Sequence, residues 1–276
     1  MSPARAAVER HPALAHFGLA MLLGLAPIGL VASGALPPSF DQLGALSGSA
    51  AGLILAGVLG GAAGVRALLR RGTIWRVGAG WWLFVLLFPA LPTVAALFIA
   101  EPLGGAPATF GSVGSPVSFL GLLLFLMLAA GIGEEFGWRG FALPRVQARH
   151  GAVVASLVVG TLHSVWHLPL FFLPDVSQYD IAQQAGFLPA FLGHTLLIVA
   201  LAVQMTWIFN HTRGSVLMVA AYHGSINAWI GYLDVYRGRM AGIWVYVVLM
   251  LVFSAVLIWR EGGENLARGV TRPLET

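Results

Sequence analysis

Apolar positions in this chain do not alternate with polar ones; they run on. Eight apolar stretches stand at about 14–33, 48–69, 78–100, 117–138, 152–173, 187–209, 214–233 and 241–259. Each is near the roughly 20 residues a helix needs to cross a hydrocarbon core, and none shows the period-two pattern of a half-buried strand. The pattern predicts an all-α, polytopic membrane helix bundle with about eight transmembrane helices.

The polar residues between the stretches support that count. Every Lys or Arg position is Arg, and the arginines sit between the apolar runs or near their ends. Arg5 and Arg10, then Arg66, Arg70, Arg71 and Arg76, then Arg139, Arg145 and Arg149, then Arg213, then Arg260, Arg268 and Arg272 fall on one side of an eight-span zigzag; only Arg237 and Arg239 fall on the other. Cytoplasmic loops carry the excess of positive charge, so both termini are expected in the cytoplasm. The first stretch follows Arg5 and Arg10 and is nearly 20 residues long, which fits a retained span better than a cleaved signal sequence.

Composition narrows the class. The 276 residues are 58% hydrophobic and 9% charged, against about 25% charged in soluble domains. A soluble domain and a disordered chain are both excluded. The net charge of +4 and a pI near 10.1 reflect topology rather than a nucleic-acid partner, because the charge is spread over short loops. With no cysteine, disulfides, thiolate metal sites and a cysteine nucleophile are excluded. An integral multi-pass protein of a bacterial or archaeal plasma membrane is expected. Gly57/Gly61 and Gly60/Gly64 form small-xxx-small pairs, expected to serve close helix packing. The basic, mixed stretch 139–151 is expected along the cytoplasmic interface.

A charged side chain inside a span costs roughly 2.5–3.5 kcal/mol on insertion scales, so those retained are informative. Three clusters stand out. Glu134 and Glu135 project about 100° apart on a helix, and Glu135 precedes Arg139 at the i, i+4 spacing of an ion pair. Glu134 has no such partner on its own helix, which suits it to proton transfer. His163 and His167 share a face of the next long span, and His223 and Asn227 share a face near the end. Two imidazoles on one face suit metal or proton handling, although the Glu that follows the first His in a zincin motif is missing. A His and an Asn facing one cavity suit stabilisation of an oxyanion. Counted along the helices, Glu134 comes out shallower than His167, so convergence requires the fourth span to continue past Glu134 or the fifth to start beyond 152, and both are expected. A water-filled cavity open to the cytoplasm would then reach the site.

In order and spacing the clusters resemble the CPBP family of intramembrane endopeptidases, also called the CAAX-protease, bacteriocin-processing or Abi family, which includes the type II CAAX prenyl endopeptidases. The family pattern EExxxR reads here Glu134-Glu135-xxx-Arg139; its FxxxH ends at His167; its HxxxN is His223-xxx-Asn227. The family Phe is replaced by His163, a position expected to serve packing more than chemistry. The resemblance implies residues 115–235 as catalytic core, 1–114 as three N-terminal spans, and 236–276 as the last span and a cytoplasmic tail. It implies that Glu134 and His167 activate water, that His223 and Asn227 hold the oxyanion, and that Glu135, Arg139 and His163 support the site. Zinc on Glu134, His167 and His223 is the alternative to a metal-independent mechanism, which is favoured here. The expected partners are the bilayer and a membrane-anchored protein or lipidated peptide substrate. A catalytically idle scaffold or immunity protein and a proton-coupled transporter are the competing classes; inverted repeats, which would favour the transporter, are not evident.

Overall fold

The computed structural model describes residues 3–37, 44–105, 115–235 and 240–269. Among them there are helices and no strand. They are α1 (Pro3–Arg10), α2 (Pro12–Ala32), α3 (Leu46–Thr73), α4 (Ala79–Leu103), α5 (Pro116–His150), α6 (Ala152–Phe172), α7 (Ser177–Ala185), α8 (Phe187–His211), α9 (Val216–Tyr232) and α10 (Met240–Glu261). Seven of these, α2 to α6, α8 and α10, are long and apolar enough to cross a membrane. The remaining apolar stretch, 214–233, is helical too, but α9 has only 17 residues and is buried over most of its length. It is a core helix packed against α3, α4, α5 and α8, so the expected eight spans are seven long helices and one short, buried one.

Polar residues fasten this core. Tyr222 of α9 donates to the Gln204 side-chain carbonyl of α8 at 2.5 Å, and the Gln204 amide donates to Ser254 and to the Met250 carbonyl of α10. The α9 indole of Trp229 donates to the Leu86 carbonyl of α4, close to where Pro89 breaks that helix. Buried in an apolar bundle, such groups must find partners on neighbouring helices.

Two expectations need correction. The stretch 48–69 is not a straight span: α3 breaks at Gly61, whose φ of 56° and ψ of −150° are outside the helical region. The chain then folds back, so that a Cβ on Gly64 would strike the Ala56 carbonyl oxygen, while Gly60 and Gly61 face open space. These glycines make a sharp bend in one chain, not a seam between helices. The stretch 139–151 is not a segment of its own. It continues α5 to His150, and only Gly151, with φ 77°, separates α5 from α6. The fourth helix therefore runs on past Glu134, as expected, but the fifth starts at Ala152, not later.

One end of the bundle collects arginines. Arg149 donates to the Glu9 and Arg10 carbonyls, Arg213 to the Arg76 carbonyl and Arg71 to that of Gly214. The Ala152 amide donates to the Glu264 carbonyl. Both described ends of the chain thus meet at this end. Arg139, grouped with the loop arginines by the sequence pattern, is instead buried. Arg237, Arg239 and Arg272 lie outside the described residues.

Candidate active site

The site is built on α5, whose backbone is unusual there. The turn Gly133–Glu135 is α-helical, but Met127–Ile132 before it and Phe136–Ala142 after it are π-helical. A π-turn takes up an extra residue and resets which side chains face which neighbour. Small residues let other helices come close. A Cβ on Gly137 would run into the Gly48 carbonyl oxygen and His16 Nε2; one on Gly131 would run into the Ala220 carbonyl of α9. From α3, Ser49 donates to the Ile132 carbonyl at 2.7 Å and accepts from the Phe136 amide at 3.2 Å.

The two carboxylates then take different partners. Glu135 Oε1 and Oε2 accept from Arg139 Nη1 at 2.9 and 3.0 Å, and Oε1 also lies 2.7 Å from His223 Nδ1 of α9. Glu134 Oε2 lies 2.7 Å from His163 Nε2 of α6. Arg139 Nη1 is 3.2 Å from the other nitrogen of that ring, His163 Nδ1. All five side chains are buried.

Hydrogen-bond chemistry assigns the protons. A guanidinium only donates, so His163 Nδ1 is the acceptor of Arg139, and Nε2 carries the proton that His163 donates to Glu134. His167 donates Nδ1–H to the His163 carbonyl at 2.9 Å, which leaves His167 Nε2 with a lone pair. His223 donates Nδ1–H to Glu135. The resulting order is Glu134, His163, Arg139, Glu135, His223, a continuous polar chain through three helices. Trp138 stacks on the His163 ring at 4.5 Å, and His167 sits 5.0 Å from it.

His163 is therefore not packing in the place of a phenylalanine; it is the direct partner of Glu134. His194 of α8 is a histidine that motif spacing did not single out. Its ring is 5.0 Å from His167, and its buried Nε2 has no hydrogen bond among the described residues. The signal for it was available, since it is a polar residue inside an apolar run.

Glu134, His167 and Asn227 line one cavity of about 710 Å³. Its other walls come from α2 (Met21, Gly24, Leu25), from the front of α5 (Phe125, Leu126) and from the stretch 173–178 that leads into α7. The first part of the chain, to which motif reasoning assigns no role, thus supplies a wall. His223 and His163 lie behind this surface and do not line it. The cavity sits in the half of the bundle away from the arginines: at about 1.5 Å per residue, Gly24 is about 18 Å along α2 from Pro12. Among the described residues, no arginine lines this cavity, so the expected opening toward the arginine side is not found there.

The donor sets test a metal. Glu134, His163 and His167 bring ligand atoms within 4.8 Å of one another, as do Glu134, Glu135 and His223. In the first set His163 Nε2 already carries a proton, because Nδ1 accepts from Arg139; ligation would forfeit that bond or require an imidazolate. In the second set, Glu135 already accepts from Arg139 and His223. The first set therefore does not fit zinc as it stands, whereas in the second Glu135 keeps a lone pair for a cation beside those bonds.

Residues 116–229 match the family described as type II CAAX prenyl endopeptidase Rce1-like. A CAAX prenyl protease 2 of Methanococcus maripaludis is 32% identical over 145 residues, covering 51% of this chain and 52% of that protein. The chain spans about half the length of this curated relative. The stretch that carries the site is thus similar to a class of prenyl endopeptidases. Within that class it resembles the type II CAAX prenyl endopeptidases, as the three motifs imply.

Proposed function

We propose that this protein is an intramembrane endopeptidase that hydrolyses a peptide bond of a membrane-anchored or lipidated polypeptide. The observation that carries this reading is the meeting of Glu134, His167 and Asn227 in the wall of one cavity, with His167 Nε2 left as a base. Hydrolysis needs a base for water, donors for the oxyanion and an acid for the leaving amine. Glu134 and His167 share the proton traffic: they take the proton from water and return it to the amine nitrogen. Asn227 offers its amide to the oxyanion. His223, behind the cavity wall and fixed at Nδ1 by Glu135, supports the oxyanion side electrostatically when Nε2 is also protonated, with Glu135 as counter-ion. Arg139 and His163 hold the two carboxylates apart and in place. Residues 115–235 form the catalytic core in this reading, and no metal takes part.

The test is cleavage by purified protein, followed by mass spectrometry, with prenylated C-terminal peptides and membrane-anchored leader peptides as substrates. Glu134→Ala, His167→Ala and His223→Ala should each lose about 10²-fold or more of the rate while eluting as folded protein. A chelator should leave wild-type turnover unchanged. Wild-type turnover in any of the three variants would overturn the role given to that residue.

A further inference from the structure

A second cavity, also about 710 Å³, lies at the arginine end, on the far side of the bend in α3. Arg70, Arg71, Arg145 and Arg213 all line it, and no Asp or Glu does among the described residues. None of the four forms an ion pair within the described residues. We propose that this cavity is a binding site for the phosphate-bearing headgroup of an anionic phospholipid.

Three observations carry this. First, the guanidiniums are held in position by groups that leave charge uncompensated. Arg145 donates to the Phe141 carbonyl at 2.8 Å and lies 4.0 Å over the Phe141 ring; Arg71 lies 5.5 Å over the Phe209 ring. Arg213 donates to the Arg76 carbonyl. Each guanidinium has five N–H donors, so most remain for a ligand, and the fork of an Arg matches phosphate oxygens. Secondly, Arg71 and Arg145 are half-buried and converge on one concavity, which like charges do only at a cost that a bound anion relieves. Arginines that served topology alone would splay into water. Thirdly, the cavity is amphipathic and correctly placed. Ala56, Gly64 and Leu68 form an apolar wall, at the end of apolar helices where headgroups lie. Basic pockets between helices on the cytoplasmic side are where anionic headgroups bind. Gly64 makes room by its contact with the Ala56 carbonyl, so the fold-back at Gly61 is what builds the wall.

The experiment is thermal unfolding of the detergent-purified protein with phosphatidylglycerol, phosphatidylcholine or inorganic phosphate added. Phosphatidylglycerol should raise the midpoint of the wild type by about 3 °C or more, and phosphatidylcholine should not. The rise should vanish in Arg71→Gln/Arg145→Gln, and also in Arg70→Gln/Arg213→Gln, whose side chains are exposed and whose loss is tolerable for folding. It should persist in Arg260→Gln/Arg268→Gln, which removes charge at the same end outside the cavity. An equal rise in all variants, or with phosphatidylcholine, overturns the site. An equal rise with millimolar inorganic phosphate overturns the lipid assignment in favour of a soluble phosphate compound.

Discussion

Both ring nitrogens of His163 are occupied, one by Arg139 and one by Glu134. The ring therefore transmits the position of Arg139 to the carboxylate that faces the cavity. A hydrogen bond to a charged group is worth about 1.5–3 kcal/mol, so removing this one should misplace Glu134 without emptying the cavity. His163→Phe, which installs the residue of the family pattern, should lower kcat about 10- to 100-fold with KM little changed, and should alter the pH profile of kcat. An unchanged kcat and profile would return the position to packing. Reading the sequence could not decide this. That His163 shares a helical face with His167 was legible from the i, i+4 spacing; that Glu134 meets the first His rather than the second depends on how α5 and α6 are rotated against each other, and the π-turns of α5 set that rotation.

At the level of elements, the apolar runs were legible because bilayer depth dictates their length, and the three polar clusters because burying charge is expensive. The bend in α3 was not. A run of glycines in a membrane helix reads equally as a packing seam or as a hinge, and only φ at Gly61 distinguishes the two. The glycines also bear load differently. Gly137 lets the Gly48 backbone and His16 touch α5, so Gly137→Ala must push α2 or α3 away; it should destabilise the protein by about 1–3 kcal/mol, seen as a lower unfolding midpoint and lost yield. Gly61→Ala forces a side chain into a backbone conformation that suits glycine, at a cost of about 1–3 kcal/mol, and should in addition abolish lipid stabilisation, because the wall of the arginine cavity moves with the bend. A Gly60→Ala variant, with nothing within 4 Å of the new methyl, is the control and should leave both midpoint and lipid response unchanged.

Taken whole, the molecule carries two large cavities at opposite ends among the described residues, one holding Glu134 and His167, one lined by arginines. If the arginine end faces the cytoplasm, as positive charge dictates, the cavity holding Glu134 opens away from it. The absence of cysteine makes this directly testable with an impermeant maleimide on intact spheroplasts. Ser177→Cys, at the rim of the site cavity, should be labelled from outside, and Arg268→Cys only after permeabilisation; the reverse pattern would invert the topology.

The single-residue connection at Gly151 has a consequence for how the protein is made. Helix α5 brings three charges into the membrane, and two of them, Glu135 and Arg139, neutralise each other within the helix. The third, Glu134, finds its partner on α6, which emerges from the ribosome directly afterwards. A turn of one residue makes the two helices a hairpin that can leave the translocation channel as one unit, with the carboxylate already satisfied. A nascent chain that ends after α5 would expose Glu134 to lipid alone, a cost of roughly 2.5–3.5 kcal/mol, whereas one that includes α6 would not. The contact that places Glu134 in the site is thus also the one that spares its charge from lipid.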